Sequence, residues 1–256
     1  LRGAPAEAGV LHQAAAEALF DLGLALDRAG RLPEAEGLYA EAARASPELT
    51  EAHVNLGRIA SIQGRTAEAR ACYLRAIETN GLSGSAHRML GRLLAEEGDP
   101  AGAIPHLRAA VRIAPGTAEL HEDLGLSLAM TRRVDDALAE FREALRLAPD
   151  WPAALDRVAL LLATHPEPRR RDPGEAIRLA DRALHLTGGK DPMALEVAAA
   201  AYASAGRFSD AEGAEQKVLD LAVGSGNDGL AGAARATLEV YRRKLPLPPA
   251  EGPGAP

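Results

Sequence analysis

The stretch that decides the fold is AELHEDLGLSLAMTRRVDDALAEFREALRLAPD, which runs from Ala118 to Asp150. Apolar residues recur at helical spacing on both sides of a polar turn, and a proline closes the second run. The pattern predicts two amphipathic helices joined by a short turn. A single pair of this kind leaves its apolar face too exposed to be stable, so it needs neighbours of the same kind.

The same helical pair recurs at an interval of 34 residues. The repeated positions are a Leu-Gly pair in the first helix and, in the second helix, two alanines with a bulky residue between them. They are Leu22 and Gly23, Leu56 and Gly57, Leu90 and Gly91, Leu124 and Gly125; Ala35, Ala69, Ala103 and Ala137; Tyr39, Tyr73, Leu107 and Phe141; Ala42, Ala76, Ala110 and Ala144. We expect each glycine to let its helix approach the small alanines of the second helix. Residues such as Leu22 and Tyr39 are expected to fill the space between units.

In these residue types and this spacing the chain resembles the tetratricopeptide repeat (TPR) family. The resemblance implies an all-α fold, a right-handed α-solenoid of stacked helix-turn-helix TPR units with a C-terminal capping helix. It also implies protein binding, because the first helices of such arrays line a concave surface that holds an extended or helical peptide.

Six units are predicted between residues 16 and 227. Their limits are 16–49, 50–83, 84–117, 118–151, 152–191 and 192–227. Residues 1–15 are a lead-in that is either frayed or helical, residues 228–245 form the capping helix, and residues 246–256 are expected to be a disordered tail.

The fifth unit carries an insertion at 164–174 in place of the short turn. Within it, Asp172 and Glu175 have the spacing of a helix N-cap and its capping-box acid, with a proline at the first helical position. Ser209 and Glu212 repeat this spacing and predict the start of the second helix of the sixth unit.

Composition limits the classes of function. The net charge of −7 argues against non-specific nucleic-acid binding, which depends on cationic groups. No apolar run approaches the roughly 20 residues that span a bilayer, so no membrane insertion by this segment is predicted. Cys72 is the single cysteine, which excludes an intrachain disulfide and a thiolate metal cage.

Two patterns suggest a ligand-binding site, one for a metal and one for a dinucleotide, but a purely structural role is the stronger interpretation of both. His53, His87 and His121 share one column of the repeat, where packed helices lie about 8–10 Å apart, whereas zinc needs ligand nitrogens at about 2 Å. The glycines of Gly224–Gly229 spell G-x-G-x-x-G, but they follow a predicted helix and not the strand that a dinucleotide site requires. We therefore predict no catalytic residue, no metal and no cofactor.

Peptide-binding residues are predicted on the first helices, where helical periodicity also places Asp156 and Leu160. The candidate contacts are Leu24, Arg58, Arg88, Arg92, Leu126 and Met130. The arginines would meet a partner's carboxylates through charge-assisted hydrogen bonds, and the apolar residues would contact apolar side chains. The alternative is that these arginines pair with Glu51, Glu96 and Glu122 on the same surface.

The densest basic run is Arg169, Arg170 and Arg171, within the insertion. It is either a solvated loop whose charge Asp172 and Glu175 balance, or a secondary contact that docks an acidic partner.

The sequence therefore predicts a non-catalytic scaffold that binds a protein or peptide segment in the concave groove. The alternative is an appended repeat region of a larger bacterial enzyme or membrane-anchored protein, since the chain begins at Leu1 and residues 151–208 weakly resemble repeat tails of multidomain bacterial proteins. The arginine and alanine bias suggests a bacterial source. Localisation is unknown, cytoplasmic by default and periplasmic in a membrane-anchored chain; partner identity and oligomeric state are left open.

Overall fold

A computed structural model describes residues 4–246, with side chains from residue 12 onward. All regular secondary structure in this range is helical. The chain divides into two compact units, residues 1–115 and residues 116–256. The tail predicted at 246–256 lies outside the described residues, apart from Pro246.

Unit 1 consists of three helical hairpins. Its helices are α1 (Ala4–Arg28), α2 (Leu32–Ala45), α3 (Thr50–Ile62), α4 (Thr66–Thr79), α5 (Gly84–Glu96) and α6 (Pro100–Ile113). Each odd-numbered helix packs on the next to form a hairpin, and the hairpins stack through α2 against α3 and α4 against α5.

Unit 2 contains three further hairpins and a closing helix. Its helices are α7 (Ala118–Met130), α8 (Val134–Leu147), α9 (Pro152–Thr164), α10 (Pro173–Leu186), α11 (Pro192–Ser204), α12 (Phe208–Gly224) and α13 (Asp228–Arg242). A short 3₁₀ helix, Pro168–Arg170, lies between α9 and α10. The first helices α9 and α11 also contact each other directly, and α13 packs on α12. Both units thus have the stacked-hairpin arrangement of the predicted all-α solenoid.

The glycine column places each first helix in close contact with the bulky residue of its partner helix, and at Gly91 the backbone oxygen of Ala103 is also close, as the sequence predicted for the alanines. A Cβ atom on Gly23 would lie 2.7 Å from Cε1 of Tyr39, and one on Gly125 would lie 2.7 Å from Cε1 of Phe141. Non-bonded carbon atoms sit about 3.5–4.0 Å apart. The absence of a Cβ atom on glycine therefore leaves the space that the bulky side chain occupies beside the first helix.

The bulky residues are the centre of each hairpin. Tyr39, Tyr73, Leu107 and Phe141 are all fully buried. The leucine column is less uniform, because Leu124 is buried whereas Leu22 is 54% exposed. The prediction that Leu22 fills a space between units is therefore wrong, because more than half of its surface is exposed.

The insertion ends with the cap that its sequence predicts. The Oδ1 atom of Asp172 accepts a hydrogen bond from the amide of Glu175 at 2.9 Å, and Pro173 is the first residue of α10. The equivalent prediction at Ser209 is wrong, because α12 begins at Phe208 and its N-cap residue Arg207 makes no side-chain cap. The closing helix α13 ends at Arg242, three residues earlier than predicted.

Replacing Asp172 with alanine is expected to lower the stability of unit 2 by about 1 kcal/mol, because a helix amide loses its acceptor. Urea unfolding followed by the fluorescence of Trp151, the single tryptophan, measures this change within unit 2. Asp172→Asn is the control, since asparagine is an equally good N-cap. Equal losses in both variants would show that the charge, and not the cap, is what matters.

Candidate functional site on the first helices

In unit 1 the predicted groove residues lie on α1, α3 and α5. Arg58 of α3 forms an ion pair with Asp27 of α1, and the hydroxyl of Tyr39 donates to the same carboxylate at 3.3 Å. Leu24 is half-buried and packs against the cluster of Tyr39 and Ile59. Leu24 and Arg58 therefore also hold the first two hairpins together.

The pairing of Arg58 differs from the glutamate pairing that the sequence offered as an alternative. Its partner Asp27 lies at the end of the preceding first helix, so the ion pair bridges two hairpins. Burial, together with Asp27, raises the pKa of Tyr39 to about 12, so the tyrosine stays a neutral hydrogen-bond donor at physiological pH.

Arg92 is the more accessible cation on this surface. Its side chain is 48% exposed, and one guanidinium nitrogen lies 3.7 Å from Oε1 of Glu96, one helical turn further on. This is one of the pairs that the sequence alternative predicted, yet an exposed pair at this distance contributes little. Arg88 lies one turn before Arg92 and is half-buried.

In unit 2 the two predicted apolar contacts lie on α7. Leu126 is half-buried, and Met130, at the end of the helix, is 36% exposed. The candidate contacts therefore fall into two groups, with four in unit 1 and these two in unit 2.

The arginines of the insertion are mostly engaged with their own unit. Arg170 pairs with Asp135 of α8, and its Nε donates to Glu167 at 3.0 Å. Nε of Arg171 donates to the carbonyl of His165 at 2.8 Å, while Arg169 is exposed.

The two acids that the sequence paired with this loop are used elsewhere. Asp172 caps α10, and Glu175 accepts from Arg142 of α8 at 2.8 Å. The predicted charge balance is therefore wrong, because the cap geometry turns Asp172 toward backbone amides and the stacking of α10 brings Glu175 beside α8.

A cavity of about 310 Å³ lies between the first helices α9 and α11 of unit 2. Its walls combine aromatic, apolar and charged side chains. The lining residues are Trp151, Pro152, Ala153, Asp156, Arg157, Leu160, Asp191, Met193 and Val197. Helical periodicity placed Asp156 and Leu160 on this face, but it gave no sign of a cavity, which depends on Trp151 and on residues from α11.

Two polar atoms at this cavity have no partner among the described residues. Asp156 is only 5% exposed, yet its Oδ1 accepts no hydrogen bond, and Nε of Arg157 is buried without an acceptor. Burial and the neighbouring charge of Asp191 raise the pKa of Asp156 to about 7. The cavity is therefore lined by two residues that each carry one buried, unsatisfied polar atom.

The histidine column serves local packing. Nε2 of His53 lies 3.0 Å from the carbonyl oxygen of Pro47. Nδ1 of His87 lies 3.2 Å from Nδ1 of His106, and buried His121 contacts Glu140. In the part of the chain that the structure describes, no group of three or more His, Cys, Asp or Glu side chains is placed to hold a metal ion.

The glycine-rich sequence after residue 223 is a break between helices. Gly224 is the last residue of α12, Gly226 takes a positive φ of 68° in the following turn, and α13 starts at Asp228. A helix and not a strand precedes the glycines, so the dinucleotide fold context is missing there. Across residues 4–246 there is also no helix with the length and apolarity needed to cross a membrane.

The described chain consists of stacked helical hairpins. Their first helices carry an exposed cation, apolar side chains and a cavity with charged walls, and these features are typical of a helical-repeat interaction protein. The chain belongs to the tetratricopeptide repeat family: one family model matches residues 6–49, 54–118 and 169–225, and a second matches residues 94–161. Its fold and family are those of a protein-interaction scaffold.

Solved structures of similar fold cover most of the chain. The crystal structure of YrrB, described as a TPR protein with an unusual peptide-binding site, is 21% identical over 70% of this chain and 89% of that chain, with a TM-score of 0.59. PilF of Pseudomonas aeruginosa is 20% identical over 91% of this chain and 93% of that chain, with a TM-score of 0.64. At these identities the likeness shows the fold alone. No curated protein matches the sequence.

Proposed function

We propose that the chain is a non-catalytic scaffold that binds a segment of a partner protein along its first helices. The observation that carries this proposal is the cavity between α9 and α11, where Oδ1 of Asp156 and Nε of Arg157 are buried without partners. About 90% or more of buried polar groups in folded proteins are hydrogen-bonded. The unsatisfied atoms beside the cavity support this proposal, because a bound group brings polar atoms to a site whose own polar groups lack partners within the described chain.

In unit 1 the proposed contacts are Leu24, Arg58, Arg88 and Arg92. The charge of Arg58 is already balanced by Asp27, so Arg58 shapes the surface more than it attracts a partner. Arg92 combines half exposure with a weak internal pair, which makes it the cation that a partner's carboxylate can recruit at least cost.

In unit 2 the proposed contacts are Leu126 and Met130 of α7, together with the cavity. Met130 is exposed, unbranched and adaptable, a side-chain type that suits a peptide-binding surface. The loop of Arg169, Arg170 and Arg171 is a secondary contact, in which Arg169 supplies the accessible charge for an acidic segment.

Charge and polarity changes on the first helices are expected to weaken peptide binding. Short peptides are selected from a random display library on the full chain, and their affinities are measured by fluorescence polarisation. Arg92→Glu and Met130→Glu should each raise the Kd at least about tenfold for peptides that contact them, which corresponds to about 1.4 kcal/mol. The reason is that each change places a desolvated or repelled charge in the interface.

Arg146→Glu is the matched control, because Arg146 is exposed on the second helix α8. Its Kd should stay within about twofold of the wild type, since Arg146 lies on a second helix, outside the proposed binding surface. Selected peptides that bind all three variants equally would show that the first helices are not the binding surface. A library that yields no binder at all would contradict the proposed function itself.

A further inference from the structure

We propose that the cavity between α9 and α11 takes a basic side chain, lysine or arginine, from the bound partner segment. This inference rests on the proposed function and names the chemistry that the cavity recognises. The occupant's charged head lies against Asp156, and its aliphatic stem lies along the apolar wall of the cavity.

The charges at the cavity favour a cation. Asp156 and Asp191 both line it, and Arg157 is the single cation among the lining residues. Asp156 is the deeper carboxyl, since its Oδ1 is buried and lacks a donor. Asp191 uses one oxygen to accept from the amide of Met193 at 3.1 Å and so caps α11. A buried carboxylate is stabilised when an opposite charge donates to it, and an incoming ammonium or guanidinium does this.

The walls fit the stem of such a side chain. Leu160 and Val197 provide apolar surface from the two helices, and half-exposed Met193 lies at the start of α11. Lysine and arginine bury their methylene stems along apolar surface of this kind while the charged head reaches a polar group. Trp151 adds an aromatic side chain, which attracts cations held over its face.

The size of the cavity limits its occupant. Its volume of about 310 Å³ is at the lower end of the roughly 300–1,000 Å³ that ligand pockets span. A cavity of this size suits one side chain of a peptide better than a complete cofactor.

Protonation of Asp156 opposes the binding of a cation. Burial, the charge of Asp191 and the opposing charge of Arg157 together set the pKa of Asp156 at about 7. A basic side chain binds the ionised carboxylate, so its affinity should rise as the pH increases from 6 to 8. A neutral side chain in the same cavity would show no such rise.

The first test uses peptides selected on the full chain. In each, every Lys or Arg is replaced in turn by norleucine, which keeps a stem without the charge. At one peptide position, replacement by norleucine should lower the affinity for the wild-type chain at least about tenfold. The same replacement should not lower the affinity for the Asp156→Asn variant. Asp210→Asn, at an exposed aspartate of α12, is the control and should keep the loss.

The second test probes the cavity without a peptide. N-acetyl-lysine-methylamide should produce a saturable change in the fluorescence of Trp151, the single tryptophan, while the norleucine analogue should not. Asp156→Asn should abolish the response and should not lower the unfolding midpoint, because it removes an unpaired buried charge.

The two tests separate the two claims. A response to the lysine analogue without any peptide binder would keep the cation site and overturn the scaffold function. Peptide binding with no preference for a basic residue at any position, or a preference that survives Asp156→Asn, would overturn the cation site and leave the scaffold function standing.

Discussion

Gly125→Ala is expected to destabilise unit 2 by about 1–3 kcal/mol, the usual cost of adding a methyl group to a filled core. Ordinarily the change would be favourable, because alanine is the better helix former by about 1 kcal/mol. Here the new Cβ would lie 2.7 Å from Cε1 and 2.8 Å from Cδ1 of Phe141. Phe141 is only 1% exposed, so the ring has no free space to move into.

The chain offers a matched control in Gly232, a helical glycine of α13. A Cβ atom at that position meets no atom within 4 Å in the described structure. Gly232→Ala should therefore stabilise unit 2 by about 0.5–1 kcal/mol through helix propensity alone. The same substitution is thus predicted to have opposite signs at two helical positions of one unit.

A double-mutant cycle isolates the contact itself. Phe141→Ala should cost about 3–5 kcal/mol as a large-to-small change in the core. In that background Gly125→Ala should become neutral or stabilising, because the ring that it strikes is gone. Urea unfolding monitored by Trp151 fluorescence gives the free energy of unfolding of the wild type, the two single variants and the double variant. A Gly125→Ala cost that is the same with and without the ring would refute this explanation of the glycine column.

The second large effect is a loss of stability of unit 2 as the pH rises from about 5 to 8. Glu215 of α12 is 1% exposed, and its Oε1 has no partner among the described residues. Burial and the nearby carboxyl of Glu196 on α11 raise its pKa to about 7. Tyr241 of α13 also faces this group, and its hydroxyl is likewise buried without a partner.

The sign follows from which state holds the proton. Between about pH 4.5 and 7 the folded chain keeps Glu215 protonated while the unfolded chain has lost the proton, so stability falls as the pH increases. A shift from 4.5 to about 7 corresponds to about 3 kcal/mol at about 1.4 kcal/mol for each pKa unit. The stability is fully present below pH 4.5 and fully lost above pH 7.

Glu215→Gln should remove this contribution, because the amide cannot ionise. The measurement is the difference in urea midpoint between wild type and variant at several pH values, which cancels the titration of the histidines. Glu239→Gln, at an exposed position of α13, should leave the wild-type slope unchanged. Asp156, whose pKa burial also raises to about 7, contributes a slope of the same sign, so Glu215→Gln should reduce the wild-type slope without abolishing it. A slope of the full wild-type size in Glu215→Gln would contradict the role of Glu215.

The features that the sequence predicted correctly are those that spacing along the chain determines. The 34-residue period predicted the helices, and the three-residue separation of Asp172 and Glu175 predicted the N-cap of α10. The same rule failed at Ser209, where α12 starts one residue before the supposed cap, because its flanking turn ends at Arg207. The division into six units with a capping helix at 228–245 remains an interpretation of these helix pairs.

The features that the sequence did not predict depend on contacts between hairpins. Arg58 pairs with Asp27, which lies 31 residues earlier, and only the stacking of α3 on the first hairpin brings them together. The burial of Asp156 likewise depends on α11, since Asp191 and Met193 close the cavity from another hairpin. Spacing along one helix contains no information about the Arg58–Asp27 ion pair or about the burial of Asp156.

The most direct test of the scaffold proposal is to find which face of the chain touches a bound peptide. A photoreactive amino acid is placed in turn at the positions of Arg92, Met130 and Met193 on the first helices, and of Arg146 on a second helix. After illumination with a selected peptide, crosslinks are identified by mass spectrometry. Crosslinks are expected from first-helix positions, and none is expected from the Arg146 position. Crosslinks confined to the Arg146 position would contradict it.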